Sequence, residues 1–211
     1  MGARGNNYQE LISAALRMFE TTGQLPSTPE ELAEAAEIDV DKVRAIFATR
    51  SDLRRALINH GIALVSDKIR LATTSADPQD PLDQLKSLSH AFFGWGFDNA
   101  ALFGLMARAL SDPDIAHGST LDMHRASILE LVLRKLKEAQ DIGRIPADVN
   151  LDLVAAAIHC TSLGISSMII HRQPDPWYRG EETSLKTLAF DIMDVQLDRV
   201  FGGTERPPTR N

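Results

Sequence analysis

The sequence contains a single cysteine, Cys160, among its 211 residues. One cysteine excludes an intrachain disulfide bond and a metal site built from several thiolates, which agrees with a protein of a reducing compartment. Basic charge is also scarce, because 29 acidic residues outnumber 22 basic ones and give a formal net charge of −7. Any contact with nucleic acid must therefore come from a local basic patch rather than from the overall charge.

The sequence also lacks the patterns typical of enzymes, metal sites and membrane proteins. It contains neither a glycine-rich phosphate loop nor a nucleophile elbow, and no spacing of Ser, His and Asp indicates a triad. His117, Asp122 and His124 lie close together, but their spacing matches no ligand pattern. The N-terminus has no apolar signal segment, and no uninterrupted apolar run is long enough to span a bilayer. We therefore expect a cytoplasmic protein without catalytic activity, cofactor or metal.

Residues 11–53 predict three helices with clear boundaries. Gly23 ends the first helix, and the Thr28-Pro29-Glu30-Glu31 segment is a capping box with proline at the first helical position of the second. Asp39 is the expected N-cap of a third, short helix. Two very short helices packed on a longer first one form the helix-turn-helix layout. The apolar residues at helical spacing on the first helix are Leu11, Ala14, Ala15, Met18 and Phe19.

Basic residues cluster at the end of this segment. Residues 41–55 hold five basic and two acidic side chains, a net charge of +3. Side chains on the exposed face of the third helix can reach base edges, and cations nearby can bind phosphates. The start of the second helix can hold a phosphate, and residues 1–6 are expected to form a flexible arm. The candidate DNA-contacting residues are Arg4, Thr28, Lys42, Arg44, Ala45 and Arg50.

This segment resembles the N-terminal domain of the TetR family of bacterial regulators over about 50 residues. The resemblance implies a helix-turn-helix domain on a larger helical domain that binds a small-molecule effector and dimerises. Asp41 stands where the family usually has glycine, Arg44 where it has a phosphate-contacting tyrosine, and Arg50 where it has lysine. The matching residues are Ala14, Ala15, Met18, Phe19, Gly23, Thr28, Leu32, Ala33, Ala36, Ile38, Phe47, Arg50 and Leu53.

The remainder of the chain predicts only further helices, so we expect an all-α protein of about nine helices. Ser51 is the expected cap of a long fourth helix, and Asn150 that of an apolar helix near the C-terminus. The predicted domains are a helix-turn-helix domain over residues 1–50, a helical ligand-binding and dimerisation domain over residues 51–201, and a disordered tail over residues 202–211. The second half also resembles the C-terminal domain of a subset of the family, but its Trp and Gly positions are Ala155 and Cys160 here.

Aromatic side chains in the second half predict an apolar ligand pocket. A cavity lined by apolar groups with one or two polar ones is the usual small-molecule site, although such a stripe is also typical of plain core. A histidine there could orient a polar or anionic ligand. The candidate pocket residues are Phe92, Trp95, Phe103, Met106, Met123, His124, Ile158 and His159.

The last two helices carry more apolar surface than one subunit covers, which favours a homodimer that pairs them as a four-helix bundle; a monomeric core is the alternative. The sequence thus predicts a regulator of transcription, most simply a repressor, that binds double-stranded DNA as a homodimer and is released by a small-molecule effector. The first alternative is a ligand- or partner-binding protein of the same shape that has lost DNA binding, which the acidic Glu30, Glu37, Asp39 and Asp41 favour. A helical-bundle enzyme is the second.

Overall fold

The computed structural model describes residues 2–110, 119–180 and 183–202, with side chains described from residue 7 onward. These residues form helices and connecting loops without strands, so the predicted all-α class is confirmed. His117 and residues 203–211 of the predicted tail lie outside the described residues. The described helices are α1 (Gly2–Thr22), α2 (Pro29–Ala36), α3 (Val40–Ile46), α4 (Arg50–Ser75), α5 (Pro81–Asp98), α6 (Ala100–Leu110), α7 (Thr120–Asp141), α8 (Leu151–His171) and α9 (Leu185–Gly202).

The prediction of a flexible arm over residues 1–6 is wrong for the described part, because α1 begins at Gly2. The stretch contains no proline, and Asn6 and Asn7, which could have capped a helix start, lie within α1 instead. Adding a residue to an existing helix costs far less than starting one, so the backbone hydrogen bonds continue toward the N-terminus.

The chain divides into two compact units. The first consists of Met1–Ala63 and Ala101–Leu121, and the second of Leu64–Ala100 and Asp122–Asn211. The first unit therefore extends past the predicted boundary at residue 50 and includes most of α6. The reason is close packing of α6 on α4, where a Cβ added at Gly61 would lie 2.6 Å from Met106 Sδ. Arg108 of α6 also lies over the ring of Phe19 in α1, at 5.8 Å from its centroid.

Side-chain caps fix the starts of the short helices in the first unit. The Glu31 N–H donates to Thr28 Oγ1 at 3.2 Å, and Glu31 Oε2 accepts from the Ser27 N–H at 2.7 Å. Asp39 Oδ1 accepts from the Asp41 N–H at 2.9 Å at the start of α3. The predicted capping box and the predicted Asp39 cap are confirmed, and they satisfy backbone donors that have no partner within the helix.

The cap of α4 differs from the prediction. Thr49, not Ser51, precedes the helix: its Oγ1 accepts from the Asp52 N–H at 3.1 Å, and Asp52 Oδ2 accepts from the Thr49 N–H at 3.0 Å. Thr49 and Asp52 stand at the spacing of a reciprocal capping box, which satisfies two backbone donors instead of one. The helix therefore begins one residue before Ser51, at Arg50.

In the second unit, α5 and α9 pair antiparallel in a regular four-residue register. Side chains one helical turn apart on α5 meet partners one turn apart on α9, and the sequence alone gave no indication of these partners. His90 also stacks on Phe190 with the ring centroids 4.3 Å apart. The polar pairs are Lys86 with Asp198 at 2.7 Å, His90 with Asp194 at 2.9 Å, and Lys186 with Asp98 at 3.0 Å.

Glu37 ends α2 in the left-handed conformation, with φ 55° and ψ 36°. A side chain with a Cβ is strained there by about 1–2 kcal/mol, whereas glycine is not. We expect Glu37→Gly to stabilise the protein by about 1 kcal/mol after the greater entropy of the unfolded glycine chain is subtracted, which raises Tm by about 2–4 °C. Thermal unfolding followed by circular dichroism measures this. Glu37→Ala removes the same charge but keeps the Cβ, so an equal rise in that variant would contradict a backbone origin.

Candidate functional site

The surface of α3 presents the side chains that the sequence predicted for contact with DNA. Lys42, Arg44 and Ala45 are exposed, whereas Val43 is fully buried and Phe47 is 4% exposed. The buried pair anchors α3 to the core of the first unit. The ring of Tyr8 in α1 packs against that of Phe47, with the ring centroids 5.6 Å apart. The side chain of Arg4 lies outside the described residues, so its predicted contact stays a prediction.

Arg44 is not available as a simple cation, because two carboxylates hold its guanidinium. Nη2 donates to Glu30 Oε1 in the first turn of α2, and Nη1 lies 3.4 Å from Asp41 Oδ1. The hydrogen bond from its own backbone N–H lowers the pKa of Glu30, and Arg44 lowers it further. Glu30 is therefore ionised at neutral pH. In the described part of the chain, by contrast, Lys42 forms no ion pair.

A small cleft joins the starts of α2 and α4. It holds about 20 Å³, which is room for one water-sized group. The exposed Thr28, Thr49 and Arg50 line its rim, and Leu32, Val43, Phe47 and Leu53 belong to its lining. Arg50 Nη2 lies 3.5 Å from the Leu25 carbonyl oxygen, a long contact that leaves most of its donors unused. The Thr28 hydroxyl and the Arg50 guanidinium at one rim are suited to phosphate oxygens, whereas the Thr49 hydroxyl already donates to Asp52 Oδ2 at 2.8 Å. The structure thus brings the predicted residues Thr28 and Arg50 together.

The eight residues of the predicted ligand pocket are divided between the two compact units, and their common lining stays a prediction. Phe103 and Met106 belong to the first compact unit, where both are buried and Met106 packs beside Gly61. Met123 is 59% exposed and His159 is also exposed, so neither faces an enclosed cavity within its unit. Helical spacing could not settle which side of its helix each residue would occupy. The remaining four belong to the second unit: Phe92, Trp95, His124 and Ile158.

His124 is the polar group of these four. Its Nδ1 lies 3.3 Å from Ser66 Oγ, and its Nε2 is buried without a hydrogen-bond partner among the described residues. Burial lowers the pKa of His124 below its ordinary value of 6.5, because the charged imidazolium loses its solvation. The imidazole is therefore neutral at pH 7. One ring nitrogen remains free to bind a polar group of a ligand.

The helix α8 exposes an apolar face. By length and composition it is apolar enough to cross a membrane, with a mean hydropathy of 1.8 and 28% of the stretch buried. The stretch is not an uninterrupted apolar run, because Asp152, His159 and Thr161 lie within it, so only its length and mean hydropathy would allow it to span. Length and composition do not by themselves place a helix in a membrane, since core helices of other proteins pass the same test. Its exposed side carries Leu153, Ala156, Ala157, Cys160, Leu163 and Gly164.

Solved structures of other proteins are similar to this chain over nearly its whole length. A TetR-like transcriptional regulator from Rhodococcus sp. RHA1 superposes with a TM-score of 0.70 and 16% identity, covering 94% of this chain and 97% of its own. The ketosteroid transcriptional regulator KstR2 of Mycobacterium tuberculosis superposes with a TM-score of 0.65 and 19% identity, covering 95% of this chain and 96% of its own. A protein of unknown function from Rhodococcus sp. RHA1 superposes with a TM-score of 0.74 and 18% identity, covering 92% of this chain and 95% of its own.

The chain has the TetR fold. The similarity extends over both compact units, so it is not confined to the helix-turn-helix segment that first suggested it. No protein-family model and no curated protein matches the sequence. At identities below 20% the TetR fold is shared while most side chains differ, so the function must be argued from this chain's own residues. The narrower resemblance of the second half to one subset stays a prediction.

The sequence analysis missed three residues that contact or neighbour the candidate site residues. Glu30 was noted for its charge but not as the partner of Arg44, which is 14 positions away. Ser66 lies 58 positions from His124, and nothing in the local pattern relates the two. Thr49 could have been found, because Thr49-Arg50-Ser51-Asp52 has the capping-box spacing.

The buried His124 predicts a pH-dependent stability. Because its pKa is lower in the folded chain, the unfolded chain binds a proton first as the pH falls through 6.5, and stability is lost until the folded pKa is reached. We expect the urea midpoint of the wild type to fall between about pH 7.5 and about pH 5.5. His124→Gln keeps a hydrogen-bonding group near Ser66 but does not titrate, so its midpoint should fall less. An equal decrease in both proteins would contradict this account.

Proposed function

We propose that this chain is a DNA-binding regulator of transcription, most simply a repressor, that acts in the cytoplasm as a homodimer and is released from its operator by a small molecule. The observation that carries the proposal is the capped helix-turn-helix, in which α3 is anchored by Val43 and Phe47 while Lys42 and Ala45 are exposed. A protruding helix with a buried back face is the element that enters a major groove.

Phosphate contacts would come from the rim of the small cleft. Thr28 and Arg50 line it together, and the hydroxyl and the guanidinium would each donate to a phosphate oxygen. Such contacts position a protein on duplex DNA without reading the sequence. Lys42 adds a cation on α3. With this few cations we expect modest affinity for DNA. The salt slope, which is the decrease of the logarithm of affinity with the logarithm of salt concentration, should be small, on the order of 0.9 per phosphate neutralised.

A second copy of the chain would cover the exposed face of α8. A soluble helix without a polar face needs partners on several sides, and within its own unit α8 packs on α5 and α9. The small residues Ala156, Ala157 and Gly164 would let a symmetry-related helix approach closely. The two α3 helices of such a dimer must then fit successive major grooves about 34–36 Å apart.

The effector would bind in the second unit, and we propose an apolar molecule with one hydrogen-bonding group. The buried Trp95 and the half-buried Phe92 supply apolar surface, and His124 Nε2 is the free polar atom. A ketosteroid regulator is among the proteins that share this fold. Because α4 contributes residues to both units, a ligand that favours one orientation of α4 would change the spacing of the paired α3 helices. Operator affinity would fall by the ligand's differential affinity for the two states.

One observation favours a second candidate, a ligand- or partner-binding protein that no longer binds DNA. The carboxylates of Glu30 and Asp41 neutralise the guanidinium of Arg44, which is the central cation of α3. Footprinting on the DNA that flanks the protein's own gene separates the two candidates. A specific, salt-sensitive footprint at micromolar protein supports the regulator, and its absence at low salt supports the second candidate.

Removal of one cation tests the interface itself. We expect Lys42→Ala to weaken binding to the footprinted duplex and to lower the salt slope by about 0.9, the contribution of one phosphate. Lys68→Ala is the matched control, because Lys68 is an exposed lysine of the second unit. Fluorescence anisotropy titrations at several salt concentrations measure both variants. Equal losses in the two would show that α3 is not the contact surface.

A charge on α8 tests the dimer. Leu163 is 57% exposed in the protomer, and we expect Leu163→Glu to convert the wild-type dimer to a single chain of 23.2 kDa in light scattering. Leu71→Glu alters a leucine that is 62% exposed on α4 and should leave the dimer intact. Since Cys160 lies on the same face as Leu163, a thiol reagent should label it slowly in the wild type and rapidly in Leu163→Glu. A monomeric wild type would contradict the proposal.

A further inference from the structure

Arg44 is held by a pair of carboxylates from two different helices. Glu30 lies in the first turn of α2 and Asp41 on α3, three residues before Arg44. We call this group of three side chains the carboxylate clamp. The Arg44 side chain is 53% exposed and that of Glu30 55%, so solvent and ligands reach both.

The carboxylate clamp carries a net charge of −1, because two anions surround one cation. A guanidinium has five N–H donors, and the clamp engages both of its terminal nitrogens. A phosphate that approaches Arg44 must therefore displace a carboxylate, and the departing carboxylate remains nearby as a like charge. Glu30 cannot lower this cost by taking up a proton near neutral pH, because its pKa is lowered by its own backbone N–H and by Arg44.

We infer that Glu30 and Asp41 withhold Arg44 from DNA phosphates and so suppress sequence-independent binding. This inference rests on the proposed DNA-binding function and makes Glu30 a positioning residue that sets specificity. Sequence-independent affinity comes almost entirely from cations on phosphates, so it loses the contribution of Arg44. At the operator, a matching base edge adds two parallel hydrogen bonds from the guanidinium, a contact that a non-matching sequence does not offer.

The test measures binding to a random-sequence duplex at several salt concentrations. We expect Glu30→Gln to bind it more tightly than the wild type, with a salt slope steeper by about 0.9 for the phosphate that Arg44 gains. Between 50 and 200 mM salt, that slope adds about threefold to the loss of affinity. Asp41→Asn should change binding in the same direction.

Glu34→Gln is the matched control, since it removes the same charge from the same helix. Glu34 is exposed on α2, and its side chain makes no hydrogen bond or ion pair within the described residues. It should change the salt slope much less than Glu30→Gln. In an Arg44→Gln background, Glu30→Gln should have no more effect than Glu34→Gln, because there is then no guanidinium to release.

Of the four other outcomes, two overturn the inference alone, one overturns both proposals, and one supports the inference but overturns the proposed function. If Glu30→Gln and Glu34→Gln behave alike while the wild type binds its operator, the clamp has no role and the regulator stands. If Glu30→Gln binds more weakly, Glu30 supports Arg44 in its contact instead of withholding it. If the wild type and every variant fail to bind any duplex at low salt, both proposals fail. If only the Glu30 variant binds, the clamp is supported and the wild type is the non-binding second candidate.

Discussion

The orientation of α3 depends on the anchoring of a helix too short to be stable alone. With seven residues it forms fewer than two turns, and an isolated helix of that length does not persist in water. Asp39 satisfies a backbone donor at its start, Val43 fastens its inner face, and Phe47 is buried at its end. The core of the first unit therefore determines which face of α3 is exposed, and with it the side on which Lys42 and Arg44 lie. Arg44 is additionally held by its own contacts with Glu30 and Asp41.

Charge places the strictest limit on how this surface can work. The chain carries a net charge of −7, and the basic residues of 41–55 are partly neutralised by Glu30, Asp41 and Asp52. In the proposed DNA complex, a few directed contacts would therefore take the place of bulk attraction. A protein that binds phosphates weakly spends less of its time on the excess of non-target sequence, which raises specificity at the expense of affinity. An acidic helix-turn-helix is consistent with such a balance.

Local signals in the sequence predicted the helices, but the sequence did not predict contacts between residues that are far apart in the chain. Caps at Thr28, Asp39 and Asn150 act over two or three residues, so their spacing could be recognised directly. The pairing of Glu30 with Arg44 joins two helices, and no local pattern contains it. The exposed position of His159 was missed for a different reason: apolar residues occur on nearly every side of α8, so the periodicity of its sequence did not distinguish an inner from an outer face. The candidate pocket was therefore predicted with residues from both faces.

The partner of the exposed α8 face can be argued from the helices on its other side. Ile165 and Ile169 of α8 are buried in the second unit, where α8 packs on α5 and α9. Those two helices carry polar pairs such as Lys86 with Asp198. The side chain of Asp198 is 55% exposed. A bilayer around α8 would also surround these charges, which is costly in hydrocarbon. A second copy that pairs through α8 would cover the apolar face and leave the charged pairs in water. For this reason we favour a dimer as the partner of this face.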